Sequence, residues 1–75
     1  MERYSNLGRD SNVAAFEIGN GSITVEFNDR SQYLYTNQSA GPGSIAEMHR
    51  LARAGRGLNS YINRVVKKGY ARKIR

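Results

Sequence analysis

Few side chains in this chain are suited to proton transfer or metal binding. His49 is the sole histidine, and cysteine is absent. Disulfides, cysteine-ligated zinc and thiol nucleophiles are therefore excluded. No Asp or Glu stands at a spacing that would make His49 a metal ligand or a triad member. Glu47 is expected to serve as a helix-capping residue rather than an acid or base. One glycine-rich stretch, Gly41-Pro42-Gly43-Ser44, invites comparison with a phosphate loop but lacks the spacing and the lysine of a Walker motif. At most it offers a small anion-binding nest. The chain is expected not to be an enzyme, and neither a cofactor nor a metal is implied.

Cationic side chains carry the clearer chemistry. The 75 residues include 12 Lys and Arg against 6 Asp and Glu, a net charge of +6. The two halves differ in sign. Residues 1–47 hold Arg3, Arg9 and Arg30 against all six carboxylates, whereas residues 48–75 hold nine cations and no carboxylate. So basic a segment repels itself at low salt unless an anionic partner neutralises it, which points to nucleic acid or another anionic surface. Arg50 and Arg53 are neighbours on one expected helix. Arg64, Lys67 and Lys68 stand at i, i+3 and i+4 of the next and would share a side. Arg56, between Gly55 and Gly57, directly precedes that second helix and could join its free N–H groups in holding a phosphate. Arg72 and Lys73 extend the set along the tail, and Arg75 is read as simple solvation. Each cation alone is equally an ordinary surface residue; together they form a candidate phosphate track.

The elements that must position these residues follow from the hydrophobic period. Residues 1–11 show no sustained period and read as an arm, although Tyr4 and Leu7 could pack back on the domain. Residues 12–18 place Phe16 and Ile18 on one face. Residues 22–28 alternate cleanly, with Ile23, Val25 and Phe27 against Thr24, Glu26 and Asn28. Residues 31–37 alternate Tyr33 and Tyr35 with Gln32, Leu34 and Thr36. Gly19-Asn20-Gly21 is a strong hairpin signal. Residues 37–43 are a breaker stretch, after which Ser44 and Glu47 have the spacing of a capping box. Ile45, Met48, Leu51 and Ala52 then give a first helix that Gly55 ends. Leu58, Tyr61, Ile62, Val65 and Val66 give a second, with Lys67 and Lys68 in its last turn and Gly69 as its stop. Residues 70–75 are either a frayed end or a short extra strand. The expectation is an α+β fold: a three-stranded antiparallel meander followed by two helices packed on one sheet face. Its domain would span residues 12–70, with an N-terminal arm at 1–11 and a basic tail at 71–75.

Turn length decides what Tyr33 and Tyr35 can do. A two-residue turn at Asp29-Arg30 sets Tyr33 across from Glu26, leaving both rings outside the apolar face and free to stack on bases. A three-residue turn flips the parity and puts both on the Ile23/Val25/Phe27 face. Arg30 suits the positive φ of a two-residue turn poorly, which favours the longer one. Tyr61 fits the helix stripe, and Tyr70, beside the basic tail, is the freer aromatic. Tyr33, Tyr35 and Tyr70 are the candidate base-stacking residues.

The order of residues also resembles a known family. The pattern Ile23-x-Val25-x-Phe27, Tyr33-x-Tyr35, Leu51-Ala52-x-Ala54-Gly55-x-Gly57-Leu58-Asn59-x-Tyr61-Ile62 and a late Tyr70 is similar to the KTSC domain. That module is named from the C-terminus of some lysyl-tRNA synthetases and also occurs as free-standing bacterial proteins. The resemblance spans about residues 11–72 and is most specific at the Tyr-x-Tyr and the Ala-Gly-x-Gly-Leu-Asn run. Two departures stand out: Arg30 replaces the usual turn glycine, and residues 37–44 replace a short Val-Pro link. The resemblance implies an α+β module for which RNA is the suggested ligand.

Two function classes follow. The first is a nucleic-acid-binding module, RNA before DNA, using Arg50, Arg53, Arg56, Arg64, Lys67, Lys68, Arg72 and Lys73. The second is a protein-interaction or homodimerising module whose partner is an acidic surface or whose contact is an open sheet face or edge. Oligomeric state is left open. No apolar run reaches the ~20 residues of a membrane span and no apolar segment follows Met1, so a soluble, cytoplasmic protein is expected.

Overall fold

In a computed structural model, which describes residues 1–7 and 11–75, the cleanly alternating run becomes the central strand of an antiparallel sheet. Strands β2 (Val13–Gly19) and β3 (Ser22–Phe27) form a hairpin around Asn20-Gly21, with Phe16 opposite Val25 and Ile18 opposite Ile23. A bulge between Val13 and Ala15 shifts the register by one residue. It is the reason Val13, three positions before Phe16, is buried with it. Strand β4 (Gln32–Thr36) pairs with β3 so that Tyr33 faces Val25 and Tyr35 faces Ile23. The connecting loop is residues 28–30. Arg30 closes it in the left-handed conformation at φ 75°, with Phe27 N–H donating to the Ser31 carbonyl at 2.9 Å. This is the three-residue hairpin loop in which a left-handed residue completes the turn. Both tyrosines consequently lie on the apolar face.

Among the described residues the sheet has five strands, not three. Strand β1 (Glu2–Arg3) pairs with β2, and β5 (Arg72–Lys73) pairs with β4, giving the order β1-β2-β3-β4-β5. Strand β5 is the short extra strand that residues 70–75 offered as one alternative, whereas β1 lies in the segment read as an arm, since a two-residue strand carries no measurable period. The first residues, read as an arm, are part of the fold: Tyr4 is 3% exposed and belongs to the core, and Leu7 N–H donates to the Gly55 carbonyl at 2.7 Å. Residues 8–10 of that segment lie outside the described residues. The tail is held by Ala71 N–H on the Leu34 carbonyl at 2.6 Å and Ile74 N–H on the Gln32 carbonyl at 2.7 Å. Both outer strands are short and charged, which discourages further edge pairing.

The helical layer departs from expectation at its ends. Residues 37–43 are not all irregular: α1 (Asn37–Ala40) is a single turn, capped reciprocally by Thr36 and Ser39. That is where the capping box lies. Helix α2 (Pro42–Ala54) starts with Gly41 at its N-cap and Pro42 in its first turn, so Ser44 and Glu47 are inside it and cap nothing. Gly55, at φ 76°, ends it in the left-handed conformation. Helix α3 (Leu58–Tyr61) runs into a π-helical turn, Ile62–Val66, closed by Lys67 N–H on the Ile62 carbonyl at 2.5 Å. The wider turn changes the phase of the stripe. Leu58, Ile62 and Val66 are buried, while Val65 is 54% exposed. Ile45, Met48 and Ala52 of α2 join them over Phe16, Ile23, Val25 and Tyr35 in one core.

Candidate functional site

His49 is used structurally. Its Nε2–H donates to the Ser22 carbonyl at 2.6 Å, tying α2 to the hairpin. Glu47 does not cap α2. Its carboxylate instead forms a two-pronged pair with Arg50, at 2.9 Å from Nε and 2.5 Å from Nη2. The guanidinium holds the Glu47 carboxyl below the usual carboxylate range. Among the described residues no three His, Asp or Glu side chains gather as metal ligands. No helix there is long and apolar enough to cross a membrane.

The cations sit in different surroundings. Arg50 has its charge answered by Glu47. Arg53 lies in the last turn of α2, where a cation suits the helix dipole. Arg56 follows Gly55 as expected, but the Leu58 N–H beside it donates to the Tyr4 hydroxyl at 3.2 Å. One of the N–H groups expected for a phosphate is thereby taken. Arg64, Lys67 and Lys68 do not share a helix face, because the helix ends at Val66 and Lys67 turns away at φ 53° and ψ −119°. Arg72 stands opposite Leu34 and Lys73 opposite Tyr33, so the two project from opposite faces of the sheet.

What the fold does bring together is Lys67, Lys68 and the tyrosines. They line an open cleft of about 570 Å³ between the 28–31 loop, β4 and the residues that follow the π-helical turn. Phe27, Tyr35 and Ile62 contribute its apolar lining. Tyr33 and Tyr70 meet with ring centroids 4.7 Å apart and planes at 59°, and both are only partly buried. Phe27 and Tyr33 meet in a T-shaped arrangement with ring centroids 5.7 Å apart, and Lys73 Nζ stands 5.8 Å from the centre of the Tyr33 ring. A cation at that distance stabilises the ring's position by about 0.5–1 kcal/mol. Tyr35 is 2% exposed. The three-residue loop favoured from the sequence turns its ring into the core, so of the three candidate base-stacking residues Tyr35 cannot serve as one. Burial, and secondarily Tyr33 and Tyr70, push its phenol up to about 12.

The other wall of the cleft was not anticipated. Ser31 donates twice to Asp29 Oδ1, from its hydroxyl at 2.6 Å and its backbone N–H at 3.0 Å. These bonds, the hydroxyl's first, hold the Asp29 carboxyl below its ordinary range. The Asp-x-Ser spacing is the local signal for such an Asx turn, but nothing local says that the turn faces Lys67 and Tyr70. Chemically the cleft combines partly open aromatic rings, two ammonium groups and an ionised acceptor. No family model, no curated protein and no solved structure matches this chain.

Proposed function

We propose that this protein is a small non-enzymatic nucleic-acid-binding module, with RNA preferred over DNA. The observation that carries the reading is the charge of residues 48–75, nine cations without a carboxylate. The gathering of Lys67 and Lys68 beside Tyr33 and Tyr70 supports it. Lys67 and Lys68 line the cleft with these rings and Lys73 stands over Tyr33; in this reading the three supply the first phosphate contacts. Arg53, Arg56 and Arg64 add long-range attraction, and Arg50 adds less because Glu47 answers it. The resemblance to the KTSC domain points to the same ligand class.

The test is fluorescence anisotropy of nuclease-treated protein with tRNA, single-stranded RNA and duplex DNA at about 50 and about 200 mM salt. Three phosphate contacts predict a log K against log salt slope of about −2.1 on single strands and about −2.7 on a duplex. Replacing Lys67, Lys68 and Lys73 together by glutamine should flatten the slope without unfolding the domain. Weak, equal binding to all three nucleic acids that vanishes at the higher salt refutes the reading. It would turn the search to an acidic protein surface or a second copy of the chain. For that alternative the outer strands are short and charged, and the sheet face opposite the helices carries Thr24, Glu26 and Gln32 beside Leu34, so among the described residues no large apolar patch awaits a partner there.

A further inference from the structure

A polyanion reading by itself does not distinguish a duplex from a single strand, since both present phosphates. The cleft does distinguish them. Its volume, about 570 Å³, falls within the roughly 300–1,000 Å³ of small-ligand sites, and a groove that only tracked phosphates would need no aromatic lining. Tyr33 and Tyr70 are inclined at 59° rather than stacked flat. Each remains partly exposed at the cleft, where an unstacked base can lie against it. Lys67 and Lys68 enter from the helical side, and Asn28, Asp29 and Ser31 from the loop side. The site is therefore bipolar, with ammonium groups at one wall and hydrogen-bonding groups at the other.

The backbone adds a second observation. Lys67 holds φ 53° and ψ −119°, a conformation that glycine adopts far more readily. It follows a π-helical turn, and both features recur at functional sites more than elsewhere. The consequence is that two consecutive lysines leave the helix axis and reach the cleft, which a regular continuation of the helix would not achieve.

We infer that this cleft takes one unpaired nucleotide of a single-stranded RNA, its base against Tyr33 and Tyr70 and its phosphate between Lys67 and Lys68. The inference rests on the nucleic-acid reading above and narrows it to single strands, because a base held in a duplex stack offers no free face to these rings.

The experiment compares single-stranded oligoadenylate with a blunt RNA duplex of equal length, and titrates adenosine 5′-monophosphate while following the tyrosine ring resonances by NMR. Tighter binding of the single strand is expected, with shifts at Tyr33 and Tyr70 but not at Tyr61. Tyr70→Leu should weaken the single strand by about 5- to 140-fold and leave the duplex unchanged. Salt-dependent binding equal for both RNAs, unmoved by Tyr70→Leu, overturns this inference while leaving the polyanion reading intact. No binding to any RNA overturns both. The mononucleotide bound as tightly as the oligonucleotide makes a free nucleotide the occupant and overturns the assignment to a strand. Should Tyr70→Leu fail to fold, the wild-type titration decides, and unshifted Tyr33 and Tyr70 rings overturn the proposal.

Discussion

Lys67→Gly tests the backbone on which the cleft depends. Lys67 sits at φ 53° and ψ −119°, and Gly69 N–H donates to the Val66 carbonyl at 2.9 Å, closing a tight turn over residues 66–69. The first central position of a turn with these angles favours glycine, because a Cβ there crowds the backbone. Holding a lysine in it costs about 1–3 kcal/mol. Glycine removes that strain but loses roughly 0.5–1 kcal/mol more chain entropy on folding. The net gain is therefore on the order of 1 kcal/mol, or about 4–8 °C in Tm for a domain of this size. The assay is a thermal melt followed by circular dichroism on wild type, Lys67→Gly and Lys67→Ala in one buffer. Alanine removes the same ammonium group but keeps the Cβ, so it should stay within about 0.5 kcal/mol of wild type. Both variants lose one phosphate contact, and the single-strand salt slope should become shallower by about 0.7 in each. Equal melting of the glycine and alanine variants would refute the strain and with it the backbone support for the cleft.

Arg30→Gly relieves the other cation held at positive φ, at 75° in the hairpin loop; a rise of a few degrees in Tm is expected, and a fall would contradict the loop geometry. Tyr4→Phe strips the acceptor from the buried Leu58 N–H and should cost about 1–3 kcal/mol; a urea midpoint equal to wild type would show that the bond contributes nothing. Gly55→Ala combines a left-handed φ of 76° with a Cβ placed 2.7 Å from Ser5 Cβ, so the loss should exceed the ~1–2 kcal/mol of the backbone alone. Gly57→Ala meets only Leu51 Cδ2 at 3.4 Å and should be the milder of the two in the same urea series. Tyr35 has its pKa raised to about 12 in the folded state, so the folded protein favours its protonated phenol. Stability from this group is complete below the unfolded phenol's pKa of about 10 and is lost as pH rises from there through about 12. A tyrosinate absorbance titration should find the Tyr35 ring ionising well above the ordinary phenol range, and its ionisation near pH ~10 in folded protein would rule that out.

Much of the frame was legible in short stretches of residues. Alternation in 22–28, the Asn20-Gly21 turn and the stripe Ile45, Met48 and Ala52 are local patterns. Each strand or helix repeats its own geometry, so its buried positions recur at a fixed spacing whatever the partner. The α+β class, the central hairpins, the end of α2 at Gly55 and the basic C-terminal half followed from such patterns. The parity of Tyr33 and Tyr35 was open to a turn argument, since Arg30 suits a three-residue loop better than a two-residue one. Other features had no local signature. The outer strands are too short to show a period, and the capping box was assigned to Ser44 and Glu47 because Thr36 and Ser39 lack the usual glutamate.

The candidate site was less legible than the frame. Composition located the positive charge but not its arrangement, because helical spacing assumes that a helix continues, and this one widens at Ile62 and stops at Val66. Pairing of Glu47 with Arg50 was within reach of i, i+3 reasoning; the meeting of Lys67 and Lys68 with Tyr33, Tyr70 and Asp29 was not. Their separations along the chain run to tens of residues, and no periodic rule connects them. Tyr4, 54 residues from the N–H it accepts, shows the same division. A side chain's chemical type is set by its own residue and its exposure largely by near neighbours. Which groups face one another is set by the packing of whole elements, whose free energy comes from surfaces that exist only once the chain has folded.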